Sequence, residues 1–310
     1  TVCGDTKFID ILAGYKEGVH VSPLALTTVK VASCAQMSGH SGRARANNYE
    51  VLMRFALKLA TAAVALAAIT GSAFAMDKIR IGTEGAYPPF NFTDTNGELK
   101  GFDIDIAKAL CAEMKGECTF VAQDWDGIIP ALLANKYDVV LASMFITEAR
   151  KEQVAFTKPY QASAMTFVVD KSSGISDVDP ESMDGMIIGA QSSTTQADYL
   201  ASAYPNAEIR LYPTQDAANL DMASGRIDAM VGDIMPMTDW IATQDGSCCE
   251  KAGELITNPK YVGEGVGMAL RKEDAELRER INKSLANIIS NGTYQKINEQ
   301  YFSLNLLTLK

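Results

Sequence analysis

The chain has 310 residues, 47% of them hydrophobic and 21% charged, which suits one or two globular domains and excludes a disordered tail or a membrane protein. Its net charge of −10 disfavours nucleic acid as a partner, because phosphate binding needs clustered Lys and Arg. Its only histidines, His20 and His40, precede a segment expected to be removed, which takes with them Ser-His-Asp triads, His-ligated zinc and His general bases.

That segment is 53–75. Arg54 and Lys58 form a basic start, Leu59 to Ile69 is a short apolar stretch, and Ala73-Phe74-Ala75 is a small-x-small cleavage site, the three parts of a secretory signal peptide in order. The stretch is shorter than the roughly 20 residues that span a bilayer. Residues 1–52, which begin at Thr1, read as an upstream extension that is not naturally made, with Met53 as the start. Seven of the 28 basic and four of the 38 acidic residues precede position 76, so the remainder carries a net −13. An exported product is expected in the periplasm or its equivalent, freely diffusing because no Cys directly follows the cleavage point.

From residue 76 onward strands and helices alternate. Lys78 to Gly82 is a predicted strand, Tyr87 to Phe92 an extended loop, and Asn96-Gly97 a turn. Asp103 to Met114 is a helix with Ile104, Ile106, Ala107 and Leu110 at helical spacing. A strand (118–122), a helix (125–134) and an apolar strand (138–142) follow, an order that implies a mainly parallel sheet covered by helices. A similar alternation begins near Ala164, with strands at 166–170, 186–191, 209–212 and 229–232 and helices at 194–203 and 215–224. After a strand at 266–270, helices at 274–289 and 293–301 close the chain. The repetition predicts two α/β lobes, one from 76–160 plus 266–310 and one from 165–256, with crossings at 161–164 and 257–265.

Four cysteines remain downstream of the signal, an even count that in an exported protein favours disulfides. A Cys111–Cys118 bridge would clip a helix-to-strand turn for about 2–3 kcal/mol at most. Cys248 and Cys249 form either a strained vicinal bridge or two thiols. The spacings do not match zinc knuckles, and no metal or cofactor is expected.

Ligands in open α/β sheets bind outside the carboxyl ends of strands. Gln191-Ser192-Ser193-Thr194-Thr195 stands between a strand and a helix, where free amides and hydroxyls suit an anion. Arg150 follows the strand at 138–142 and the loop Ser143-Met144-Phe145, and its planar fork suits a carboxylate. Asp233 holds the equivalent place in the second lobe, and Glu84, with Tyr87 nearby, follows the first strand. Gly263-x-Gly265-x-Gly267 misses the dinucleotide spacing by one residue and reads as backbone flexibility near a crossing.

The stretches IGTEGAYPPF (81–90), GFDIDIAKALC (101–111), WDGIIPALLANKYD (125–138), SMFITEARKEQVAFTKPY (143–160) and NGTYQKINEQYF (291–302) resemble the polar amino-acid-binding proteins of bacterial ABC importers, of the lysine/arginine/ornithine and histidine type. The resemblance runs in order through about 77–305. It implies a two-lobed periplasmic-binding-protein (Venus-flytrap) fold that closes over one free amino acid, works as a monomer and delivers to an inner-membrane ABC permease. It implies that Arg150 holds the α-carboxylate with the amides near Thr195, and that Asp233 pairs with the α-ammonium. Tyr87 and Trp125 would sandwich the side chain and Glu84 meet its distal cation. Ser143, Met144, Phe145, Gln191, Thr194 and Gln196 fall on lining positions, and the family's cysteine pair corresponds to Cys111 and Cys118. Phe145 stands where relatives usually carry a Ser or Thr, which alters the pocket and makes an opine an alternative ligand. A cyclohexadienyl-dehydratase-like enzyme with Glu84 as the acid, and a receptor's sensor lobe, are the readings from other classes. No catalytic residue is expected on the first reading.

Overall fold

The computed structural model describes residues 78–308; the upstream extension and signal peptide expected over 1–75 lie outside these. Strand β1 (Lys78–Thr83) pairs in parallel with β5 (Glu117–Ala122) and with β6 (Val139–Val140), setting Ile81 between Phe120 and Val139. The first sheet has the order β5-β1-β6-β13-β7, where β7 is Ala155–Phe156 and β13 is Ala269–Leu270. The second has the order β10-β9-β11-β8-β12, built from β8 (Met165–Asp170), β9 (Ile187–Gln191), β10 (Glu208–Tyr212), β11 (Ala229–Asp233) and β12 (Cys249–Ile256).

In each sheet three parallel strands are continued by antiparallel pairings. The parallel strands are joined by helical crossovers, whereas β13 and β8 enter directly from the two passages between the sheets. A small antiparallel sheet of β2 (Ala86–Tyr87), β3 (Asn91–Thr93) and β4 (Leu99–Lys100) replaces the extended loop expected after β1.

Helix α1 (Phe102–Glu113) shows how the sequence fixes its own start. Gly101 precedes it with φ 118°, and a Cβ there would lie 2.3 Å from the Phe90 carbonyl oxygen. Only glycine lets the chain turn this closely into the helix. Asp103 and Asp105 then stand in the first turn, favourable at the positive end of the helix dipole. Phe102, Ile106 and Leu110 face the core with Ile79, Ile81, Ile281 and Leu285, each contributing roughly 1.5–3 kcal/mol on burial. Cys111, at the end of α1, and Cys118, in β5, form a disulfide with Cα atoms 6.0 Å apart.

Several elements were not legible, among them β7, the short helices at Glu148–Lys151 and Pro259–Val262, and two longer elements. Strand β12 lies at a sheet edge and buries only Cys249, Ala252 and Ile256, because its register with β8 shifts between Ala252 and Ile256 and breaks the alternation of a strand. A helix at Ile234–Ile241 contains Pro236, which reads as a breaker; at the third helical position its missing N–H has no intrahelical acceptor to lose. The glycine run at 263–267 also differs from its reading as flexibility. Gly263 has φ 57°, and a Cβ on it would meet the Ile146 carbonyl oxygen at 1.8 Å. These glycines permit close packing.

Candidate functional site

Both sheets point the carboxyl ends of their parallel strands at one cleft of ≈ 380 Å³, part of it open to solvent. From the first lobe come Glu84, directly after β1; Tyr87, in β2; Trp125, at the 3-10 turn Trp125–Gly127; Ser143 and Phe145, after β6; and Arg150, in a short helix at Glu148–Lys151. From the second come Gln191, at the end of β9; Thr194, Thr195 and Gln196, at the start of helix α2 (Thr195–Ala203); and Asp233, the last residue of β11.

The helix start is built by Thr194. Its hydroxyl donates to the Gln191 carbonyl oxygen (2.6 Å) and accepts from the Ala197 N–H (3.2 Å), closing the first turn at the cleft wall. Thr147 caps the Arg150 helix in the same way, accepting from the Arg150 N–H. The Arg150 guanidinium donates through Nη1 to the Phe145 carbonyl oxygen (3.0 Å) and lies 5.4 Å from the Trp125 ring centroid, a cation–π distance. Burial brings its pKa down to about 10, opposed by the charges of Asp233 and Asp198.

The two cleft carboxylates are each held across the gap. Tyr87 Oη donates to Asp233 Oδ2 (2.8 Å) from the opposite lobe, while Gln196 Nε2 donates to Oδ1 from the same lobe. Gln191 Nε2, from the second lobe, donates to Glu84 Oε1 (2.6 Å) in the first. Burial pushes both acids up to about 7. For Asp233 the Tyr87 hydrogen bond and the Arg150 charge pull the other way; for Glu84 the Gln191 hydrogen bond does, while Asp216, Asp124 and Asp126 add further upward pressure. Two more contacts bridge the lobes at the rim: Trp125 Nε1 donates to the Ser193 carbonyl oxygen (2.9 Å), and Ser192 Oγ donates to Asp126 (2.9 Å).

Arg150 and Asp233 therefore border the same cavity, with Glu84 on its wall as a third charged group. This arrangement offers one cationic and two anionic stations within one partly buried space. Such a space suits a small dipolar molecule that also carries a cationic tail.

Of the residues expected at the cleft, Met144 does not line it. Its side chain is buried in a first-lobe cluster with Ile128, Leu132 and Val154 and is turned away from the cleft. Ser143 lines the cleft, but its hydroxyl donates to the buried Asp103 (3.0 Å). Gln215, at the start of the helix after β10, and Ala142 also line the cavity and were missed. The strand-end rule that singled out Asp233 points equally to Gln215; Ala142 carries no chemical signal.

Residues 79–304 match the family described as bacterial extracellular solute-binding proteins, family 3. The chain is 39% identical over 247 residues to ABC transporter arginine-binding protein 1 of Escherichia coli, covering 79% of this chain and 98% of that protein. It is 40% identical over 249 residues to the L-arginine-binding protein of Pseudomonas aeruginosa, covering 79% and 95%. Its fold matches an ancestral arginine-binding protein bound to arginine with a TM-score of 0.67 at 37% identity, over 73% of this chain and 98% of that one. The two α/β lobes, the cleft between them and these likenesses agree: the chain belongs to family 3 of the bacterial extracellular solute-binding proteins.

Proposed function

We propose that the cleft captures a free basic amino acid of the arginine type for an ABC importer. In this reading Arg150 and the amides at Thr194–Thr195 receive the α-carboxylate, and Asp233 receives the α-ammonium. Glu84 meets the distal guanidinium or ammonium, whose aliphatic stem and charge lie against Tyr87 and Trp125. The observation that carries the reading is that Arg150, Asp233 and Glu84 border one cavity. A zwitterion satisfies the first two, and a positively charged tail the third. The names of the two relatives above, both arginine-binding proteins, favour binding over turnover.

Because each cleft carboxylate takes a hydrogen bond from the opposite lobe, closure and charge stabilisation are coupled. Segments 161–164 and 257–265 would be the hinges of that closure, and binding would shift the open–closed equilibrium toward the form a membrane permease recognises. Export by removal of 53–75 would place the protein, as a monomer, in the periplasm.

Calorimetry against arginine, lysine, ornithine, histidine, glutamine and octopine tests the assignment. Arginine or ornithine should bind at least about tenfold more tightly than glutamine, a difference of about 1.4 kcal/mol. Glu84→Gln should remove most of that preference; unchanged selectivity would reject the role given to Glu84. Tightest binding of octopine would replace the ligand class with an opine, and product formed from arogenate or prephenate would replace transport with catalysis.

A further inference from the structure

The other concentration of reactive side chains lies at the far end of β8. Asp233 pairs with Met165 at one end of that strand, whereas Cys249 pairs with Asp170 at the other, so the two levels are about 17 Å apart at 3.4 Å per residue. There the ligating atoms of Asp170, Cys248 and Cys249 all lie within 4.8 Å of one another. We propose that these three residues form a binding site for a thiophilic d10 metal ion of the zinc and cadmium type, separate from the amino-acid cleft.

The chemistry of the donors selects this class of ion. Two thiolates and a carboxylate suit soft or borderline cations and not magnesium or calcium. Thiolates on tetrahedral zinc stand about 3.8 Å apart, given zinc–sulfur bonds near 2.3 Å, so the observed spacing closes by side-chain rotation of about 1 Å. Three protein ligands leave a fourth position to water. On binding, each thiol releases a proton to solvent and its sulfur donates a lone pair to the metal; no redox step is involved.

The sulfurs are also kept available. Adjacent Cα atoms are about 3.8 Å apart, below the roughly 4.4 Å minimum usual for a disulfide, so neighbouring cysteines bridge one another poorly. Cys111 and Cys118 are already joined to each other, and Cys248 and Cys249 are thiols. The backbone holds both in place: the Lys171 N–H donates to the Cys248 carbonyl oxygen (3.0 Å), and the Cys249 N–H to that of Gly246 (3.0 Å). Asp170 is oriented by Ser172, whose N–H (2.6 Å) and hydroxyl (2.5 Å) both donate to Oδ1. Outer hydrogen bonds of this kind fix a ligand's direction. The Lys171 ammonium, which donates to the Ser247 carbonyl oxygen (2.7 Å), supplies one positive charge. With a divalent ion it balances the two thiolates and the carboxylate.

Titrating the reduced full chain with cadmium chloride, and following sulfur-to-metal charge-transfer absorption, tests the site. One equivalent should bind, Asp170→Asn should weaken it by about tenfold, and Cys248→Ser should abolish the signal. Thermal unfolding verifies that each variant is folded; Cys248, in a half-buried turn, is the milder replacement where the buried Cys249→Ser fails to fold. Absorption of undiminished size in the Cys248→Ser/Cys249→Ser chain, which retains Cys3, Cys34, Cys111 and Cys118, would overturn the proposal. So would mass spectrometry of the native chain showing Cys248 and Cys249 joined as a disulfide.

Discussion

Asp103 and Asp233 are both buried carboxylates, yet their surroundings differ in kind. Asp103 sits inside the first lobe and accepts three hydrogen bonds, from Asn91 Nδ2 (2.9 Å), Ser143 Oγ (3.0 Å) and Tyr160 Oη (2.7 Å). Asp233 sits in the cleft and accepts two, one of them from the opposite lobe. Burial pushes Asp103 up to about 6 and Asp233 up to about 7. The first acid ties β3, α1 and the segment after β6 into one unit and keeps its donors whatever the cleft does. The second takes one of its two donors from the opposite lobe, and in the proposed reading a ligand's ammonium would add what its own lobe does not provide. A buried acid is thus a structural strut or a binding station according to whether its donors come from one rigid body or two.

Replacing the charges of the cleft should have the largest effect. Arg150→Met should weaken arginine binding at least about 100-fold by calorimetry, because one side of a partly buried charge arrangement loses its partner, at about 3–5 kcal/mol. Asp233→Asn should do nearly as much. If either variant binds arginine as the parent does, the cleft acid and its cation are not the poles of a ligand site.

Next is Asp103→Ala, which should lower stability by about 3 kcal/mol, since three buried donors lose their acceptor. A drop in the unfolding midpoint with the stoichiometry of arginine binding intact would sharpen the distinction between strut and station. A variant with unchanged stability but lost binding would reverse it.

pH separates the two acids further. Both Glu84 and Asp233 titrate at about 7 in the protein and would bind a cation as carboxylates, so arginine affinity should fall as pH drops below about 7, up to about tenfold per unit for each protonated group. The linkage for Asp103 concerns folding instead. Its native pKa of about 6 lies above the ordinary 3.8, so between those values the native state holds a proton that the unfolded state has lost. Stability from this group declines as pH rises through that window and is flat above it, and Asp103→Asn should remove that slope from denaturant titrations.

Trp125→Ala should have the smallest effect, about 2- to 30-fold in arginine affinity, the equivalent of 0.5–2 kcal/mol for one aromatic face against a cation. A loss as large as that of Arg150→Met would mean that the Trp125–Ser193 hydrogen bond governs closure.

The parts of the fold that the sequence makes legible are those with a strong period and a clear punctuation. The helix at 275–290 and the strand at 187–191 fall within a residue or two of their predicted bounds. Cleft residues at or beyond strand ends, such as Asp233 at the end of β11 and Arg150 past β6, were legible because topology places them and their charge marks them. Met144 shows the limit: strand-end position alone does not say which way a side chain points. The pairing of Tyr87 with Asp233 and of Gln191 with Glu84 was not legible at all, since it depends on how two separately built lobes meet.

The packing of Gly263 against Ile146 has one more consequence. The Ile146 N–H donates to the Gly265 carbonyl oxygen (2.8 Å) and the Glu264 N–H to that of Ile146 (3.1 Å), stapling the returning passage to the strip of chain that leads into Arg150. If, as proposed, 257–265 is a hinge and Arg150 receives the carboxylate, the two share a single backbone ladder. On that reading, a replacement in this ladder would disturb both at once, whereas a replacement of Glu84, on the opposite wall of the cavity, would alter the choice of ligand and leave the hinge intact.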